Sequence, residues 1–370
     1  MRIGVPKEIK NHEYRVGLSP AGAHVLAAAG HEVRVETQAG TAVGLDDAAY
    51  RAAGAQIVAT AAEAYAADLV IKVKELQPAE FALTHPGQIL FCYQHLAPAP
   101  ALLAAMLERN VSCVAYETVT AADGSLPLLV PMSEIAGRLA PQVGAWALQM
   151  ANGGSGILLA GVPGVAPGKV AIIGGGTVGA NAARIAIGMG AEVTLIDRSA
   201  ERLRQLESLF GARLKTCISN PHLLEALVRD ADLVIGAVLL PGKLSPKLIH
   251  RADLEQMRPG SVIVDVGIDQ GGIAETSRPT SHSNPLYVES GIVHYCVPNM
   301  PSAVARTATL ALTQATLPYA VELAAQGLRA ALAADAGLRN GLQVHAGRVT
   351  HRDLAADVGR TYMPVTEALA

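Results

Sequence analysis

The chain has 370 residues, 51% of them hydrophobic and 16% charged, with a formal net charge of −3. That length exceeds one ordinary core and predicts two domains. The near-neutral balance and an aromatic content of 4% remove the electrostatic and stacking reasons to expect nucleic acid or an anionic membrane as a partner.

The chain starts Met1-Arg2-Ile3-Gly4-Val5-Pro6, which reads as a short strand with no apolar leader. Strands are predicted at 2–5, 32–36, 69–73, 88–93 and 112–116. Helices fall between them. One opens at Ser19-Pro20, a capping residue followed by proline at the first helical position, and another covers 99–108. A helical pattern over 133–151 leads into a Gly/Pro-rich stretch, 152–168. The longest apolar candidate for a membrane span, 157–173, is broken by Gly161, Pro163, Gly164, Pro167 and Gly168, so a soluble protein is expected. Further strands are predicted at 233–237, 261–266 and 293–297, followed by a helix over 302–326. The tail beyond Gly327 has helical composition with weak periodicity and is expected to pack on the first domain. Cys92, Cys113 and Cys296 lie in apolar runs and read as core residues. With Cys217 they form no Cys-x-x-Cys pair, which fits a reducing cytoplasm.

This alternation of strands and helices predicts an α/β protein with parallel sheets and crossover helices. Its most specific local signal is Lys169-Val170-Ala171-Ile172-Ile173-Gly174-Gly175-Gly176-Thr177-Val178-Gly179, followed by an apolar run that closes on Asp197. A strand, a glycine turn, a helix and a second strand ending in a carboxylate form a dinucleotide-binding unit. Gly174 allows the tight turn, Gly176 lets the backbone approach a pyrophosphate, and Gly179 lets the helix pack on the strand. The helix N-terminus adds free N–H groups and a partial positive charge. Asp197 can accept hydrogen bonds from both ribose hydroxyls and repels a 2′-phosphate, which favours NAD over NADP; Arg198 and Arg202 are near enough to receive that phosphate instead.

Several polar residues end predicted strands, where α/β sheets form ligand crevices. Arg15, in the loop after the first strand, suits a small carboxylate held by a bidentate pair; the alternative is a surface arginine paired with Glu8 or Glu13. Lys72 and Lys74 share one face at a strand end, either as crevice residues, with Lys74 the better placed, or as edge lysines that discourage aggregation. His95 follows the next strand. An imidazole, which ordinarily titrates at about 6.5, suits proton transfer near neutrality as a residue type, although a lone histidine is often structural. Asp269 ends the strand 261–266 as a candidate acid/base group or nicotinamide-ribose partner, or as a plain turn aspartate. Asn299 follows the strand 293–297 and can meet a nicotinamide amide. Ser133 opens the connecting helix as a cap or as a cofactor contact. No His/Cys cluster has metal-ligand spacing, so no metal is expected.

Gly4-x-Pro6-x-Glu8 with Asn11, Glu13, Arg15-Val16 and Pro20, then Lys72-Val73-Lys74-Glu75, then Met132-Ser133-Glu134-Ile135-Ala136-Gly137-Arg138, resembles the alanine dehydrogenases and their relative, the NAD-binding subunit of proton-translocating transhydrogenase. The likeness runs on through 174–181, 237–243 and 265–272 and so covers essentially the whole chain. The strand-end histidine and the aspartate of Ile268-Asp269-Gln270-Gly271-Gly272 pair in alanine dehydrogenases and are lacking as a pair in the transhydrogenase subunits; His95 and Asp269 supply both here. The resemblance implies two Rossmann-like doubly wound domains that flank a cleft and are joined by long helices: 1–127 with 306–370 for substrate, 128–305 for NAD. It implies reversible oxidative deamination of L-alanine to pyruvate and ammonia, with His95 and Asp269 catalytic and Arg15 and Lys74 holding the substrate. Ser133, Gly174, Gly176, Thr177, Val178, Gly179, Asp197, Arg202 and Ser219 would surround NAD. So would Val238, Leu239, Val266, Gly267, Ile268, Asp269, Arg278, Val297, Pro298, Asn299 and Met300. A cytoplasmic homo-hexamer is implied as well. His12 stands where a second asparagine is common, and Gln326 where some members carry a metal-associated histidine. An NAD-binding module without turnover, or a dehydrogenase of lysine-derived amino acids, are the competing readings.

Overall fold

The computed structural model describes residues 1–238 and 244–369. The chain divides into two compact units, Met1–Met132 with Val304–Ala370, and Ser133–Ala303. Strands β1 (Arg2–Val5), β2 (Glu32–Glu36), β3 (Gln56–Val58), β4 (Leu69–Ile71), β5 (Ile89–Cys92) and β6 (Ser112–Ala115) open the first unit. The second holds β7 (Lys169–Ile173), β8 (Glu192–Asp197), β9 (Leu214–Ile218), β10 (Leu233–Gly236), β11 (Val262–Asp265), β12 (Leu286–Glu289) and β13 (Ile292–Tyr295). The chain returns to the first unit with β14 (Leu342–His345) and β15 (Arg348–Val349).

Among the described residues the first sheet runs β15-β14-β6-β5-β4-β1-β2-β3 and the second β12-β13-β11-β10-β7-β8-β9. Each is parallel except at one end, where β14, β15 and β12 pair antiparallel. Both have the doubly wound pattern expected. The chain walks outward from β1 to β3, then β4 starts again on the other flank of β1. In the second sheet β10 does the same beside β7. Helices therefore cover both faces, and the central strands β4, β5, β10 and β11 are buried at every position.

Local chemistry explains the starts of several helices. Ser19 accepts the Gly22 N–H at 3.2 Å, with Pro20 at the first helical position of Pro20–Ala28. Thr60 and Glu63 form a reciprocal capping box on Ala61–Tyr65. That helix lies so close to β1 that a Cβ on Gly4 would fall 1.9 Å from the Ala64 carbonyl oxygen.

The structure corrects four expectations. The strand at 69–73 stops at Ile71, and β4 lies between β5 and β1, so Lys72 and Lys74 are not edge lysines. The helix expected from Ser133 spans Val130–Ala147, which puts Ser133 inside its first turns instead of at the cap. The last long helix starts at Ala305, after a 3-10 turn over Met300–Val304, and not at Ser302. Its regular turn ends where expected, before Gly327, whose φ of 74° and ψ of 165° separate it from a second helical stretch that runs to Ala334. Finally, the tail does pack on the first unit, but through β14 and β15 as well as short helices. Its Val344, Val349 and Leu354 share a core with Leu90, Leu103 and Met106. Burial of a few apolar side chains decides those strands, and a weakly periodic tail hides it. No described helix is long and apolar enough to cross a membrane.

Candidate active site

In open α/β sheets the crevice lies beyond the carboxyl ends of the strands where the winding reverses. In the second unit that point is between β7 and β10. A cavity of about 520 Å³ lies there. Gly174, Gly176, Thr177 and Val178 line it from the turn after β7 and the start of the helix Thr177–Gly188. Asp197, Arg198 and Ser219 come from the ends of β8 and β9, Val238 from beyond β10, and Ser133 from Val130–Ala147.

The glycines divide their labour. A Cβ on Gly179 would sit 1.8 Å from the Gly174 carbonyl oxygen, so helix and turn are in contact there. A Cβ on Gly176 would meet nothing within 4 Å, and this open side is where a pyrophosphate fits. Asp197 ties the turn down, accepting the Gly175 N–H at 2.6 Å and the Ser199 N–H at 2.8 Å. Arg202 donates from Nε to the Gly175 carbonyl at 2.6 Å and from Nη1 to Gln205 at 2.9 Å. Arg202 thus braces the glycine turn, and only Arg198 of the two arginines lines the cavity. Open turn, helix N-terminus and half-buried carboxylate fit a dinucleotide.

Other sequence candidates lie around neighbouring strand ends. Val266, Gly267, Ile268 and Asp269 belong to the 3-10 turn Val266–Gln270 after β11, with Asp269 exposed. Among the described residues the Asp269 carboxylate has no hydrogen-bond or ion-pair partner. Val297, Pro298, Asn299 and Met300 follow β13, and Asn299 holds a left-handed φ of 57°. Arg278 stacks on the Tyr287 ring at 3.9 Å. Leu239 lies outside the described residues.

Sequence reasoning missed the support beneath Asp269. Asp265 is fully buried and accepts the Ile273 N–H at 2.7 Å and the Ser277 hydroxyl at 2.5 Å. Burial pushes its carboxyl above the usual range, while Ser277 and the backbone N–H groups pull the other way. Lys247 donates to the carbonyls of Gly271, Gly272 and Ala274 at 2.5, 2.9 and 3.0 Å. The chain after Asp269 is held from both sides. The acidic strand end was a legible signal for Asp265; nothing local marks Lys247.

The first unit reverses between β4 and β1, and Arg15, Lys74 and His95 follow β1, β4 and β5, three adjacent strands. Arg15 is buried, not on the surface. It donates from Nε and Nη2 to the two Glu13 carboxylate oxygens at 2.7 and 2.6 Å, and its Nη1 lies 3.0 Å from the Met132 thioether. Lys72 is buried too, between Glu80 at 2.7 Å and Glu8 at 3.2 Å. Lys74 is the half-buried one of the pair, with Nζ 3.5 Å from His95 Nε2 and 5.7 Å from the centre of the Tyr93 ring. His95 is exposed and lies nearly parallel to Tyr93, with centroids 6.0 Å apart and planes 12° apart. A guanidinium, an ammonium and an imidazole at one sheet's switch point can bind a small carboxylate and move protons beside it.

A family model described as "Alanine dehydrogenase/PNT, N-terminal domain" matches residues 4–136. The corresponding C-terminal model matches 140–352. The alanine dehydrogenase of Halomonas elongata is 54% identical over 364 residues, 98% of each chain. Alanine dehydrogenase 2 of Staphylococcus aureus is 52% identical over 370 residues, 100% of each. A solved L-alanine dehydrogenase superposes with a TM-score of 0.94 at 52% identity over the whole of both chains. The transhydrogenase from Sinorhizobium meliloti shares the fold, with a TM-score of 0.80 at 24% identity over 95% of this chain and 99% of its own. On both matched domains and on full-length identity, the chain belongs to the alanine dehydrogenase/PNT family.

Proposed function

We propose that this protein catalyses the reversible, NAD-linked oxidative deamination of L-alanine to pyruvate and ammonia, as a homo-hexamer in the cytoplasm. Relatives named alanine dehydrogenase, 52–54% identical along the full chain, support the reaction. The observation that carries the residue roles is the Lys74–His95 pair beside buried Arg15 on three adjacent strand ends. Asp197 faces the cavity and Arg202 is engaged on the glycine turn, which supports NAD over NADP.

A nicotinamide bound by the second unit supplies the chemistry of accepting a hydride from the α-carbon. Everything else falls to side chains. Arg15, immobilised by Glu13, and Lys74 hold the substrate carboxylate. The thioether at Arg15 Nη1 is a weak acceptor, and a carboxylate oxygen is a better one. Such positioning is worth roughly 7–11 kcal/mol of barrier when the geometry is good. His95 takes the proton of the water that adds to the imine of pyruvate and returns it to the departing ammonia. Asp269, an exposed carboxylate, assists as the second acid/base group. Ser133, Thr177, Val178, Ser219 and Val238 line the dinucleotide cavity, with Arg278 and Val297, Pro298, Asn299 and Met300 contributing around the nicotinamide end.

NADH formation across a panel of small amino acids, with pyruvate plus ammonium for the reverse direction, tests the reaction. Turnover with alanine and NAD is expected; turnover restricted to longer side chains, or to NADP, overturns the substrate or cofactor assignment. His95→Ala should lower kcat by about 10²–10⁴-fold with NADH affinity retained.

A further inference from the structure

The geometry assigns Glu117 as the positioning residue for His95, an inference that rests on the role of His95 given above. Glu117 stands two residues past β6, the strand beside β5. Its Oε1 accepts the backbone N–H of Gln94 at 3.0 Å and of His95 at 2.7 Å, and its Oε2 accepts Gln94 again at 3.1 Å. Two successive backbone N–H groups aimed at one anion form a nest. The nest matters because His95 has a φ of 44°, in the left-handed region that a non-glycine residue holds only when its surroundings compel it.

The carboxylate therefore does more than cap a strand. It fixes the backbone from which the imidazole projects, while Tyr93, itself anchored through its hydroxyl to the Leu128 carbonyl at 2.6 Å, lies alongside the ring. The next strand end is built the same way. Glu8, after β1, accepts the N–H groups of Val73 and Lys74 at 2.6 and 3.3 Å through one oxygen. Its other oxygen faces the buried Lys72 ammonium at 3.2 Å. Carboxylates from the two flanking loops thus hold the backbone turns carrying Lys74 and His95, whose polar tips lie 3.5 Å apart. Proton transfer is sensitive to such spacing, and a misplacement of one ångström is worth about 10²-fold in rate.

The test compares E117A with E117Q in the full-length enzyme. The glutamine keeps an oxygen that can accept both N–H groups; the alanine keeps none. E117A is expected to lose about 10²-fold in kcat, with the KM for alanine and the Kd for NADH little changed, and E117Q to stay close to the parent. His95 is also read without turnover, through its rate of carbethoxylation by diethyl pyrocarbonate followed by peptide mass mapping. That rate should rise several-fold in E117A and not in E117Q. Should E117A fail to fold, E117D, whose carboxylate stops one methylene short, is measured in its place. Equal losses in both variants, an unchanged kcat in E117A, or an unaltered His95 modification rate would overturn the assignment. Normal turnover in H95A sinks the catalytic role of His95 instead, while the modification rate still decides whether Glu117 positions it.

Discussion

A buried guanidinium is held by the residue two positions before it. Arg15 and Glu13 are 1% and 0% exposed at their side chains, and two parallel hydrogen bonds join them. Removing one partner of such a pair leaves an uncompensated buried charge, so Glu13→Ala should destabilise by about 3–5 kcal/mol in urea denaturation. Replacing both, as in Glu13→Ala with Arg15→Met, should recover most of that stability yet raise the KM for alanine, which separates the structural from the binding role. His294 is equally buried, donating from Nδ1 to the Ile292 carbonyl at 3.0 Å and paired at Nε2 with the Thr276 hydroxyl at 2.8 Å. Burial holds its imidazole below the ordinary 6.5. The unfolded chain then binds the proton at a higher pH than the folded one. Its contribution is full above about pH 6.5 and is lost as the pH falls through the lower, folded value. Thermal midpoints between about pH 7.5 and 5 should fall less steeply in His294→Gln than in the parent. An equal slope would assign the acid sensitivity to other groups.

At the scale of elements, the glycine turn makes the sharpest distinction. Gly179→Ala places a methyl against the Gly174 carbonyl and should lower both the melting temperature and NADH binding. Gly176→Ala meets open space, and its φ of −64° suits alanine, so folding should be normal while NADH affinity falls. Both are read by thermal denaturation and NADH fluorescence titration. The turn was legible from sequence because strand, glycines, helix and acidic residue follow one another within a single local unit. Arg202 was not. Its neighbourhood to the ribose position was visible, but its engagement with the Gly175 carbonyl depends on how the helix Ala200–Phe210 packs.

For the molecule as a whole, the tail completes the first unit. β14 pairs with β6, and Val344, Val349, Leu354 and Ala355 fill a core with residues of β4 and β5. Truncation after Asp335 should bare the β6 edge and that core, giving aggregated protein on expression in place of a folded first unit. A soluble, monodisperse product that melts cooperatively would contradict this. The parallel α/β alternation, the glycine turn and the strand-end positions of Arg15, Lys74, His95 and Asp269 were determined by sequence alone, since alternation, turn residues and strand ends are properties of neighbours along the chain. The doubly wound order of the two sheets came only with the family resemblance. Only the tertiary structure decided that Lys72 serves a buried ion cluster while Lys74 meets His95, that Glu13 pairs with Arg15, and that Glu117 and Lys247 hold the backbone at His95 and after Asp269. The charge of those side chains was plain in the sequence, but apart from Glu13, two residues from Arg15, their partners come from separate strands, loops and turns, and only folding specifies which groups meet.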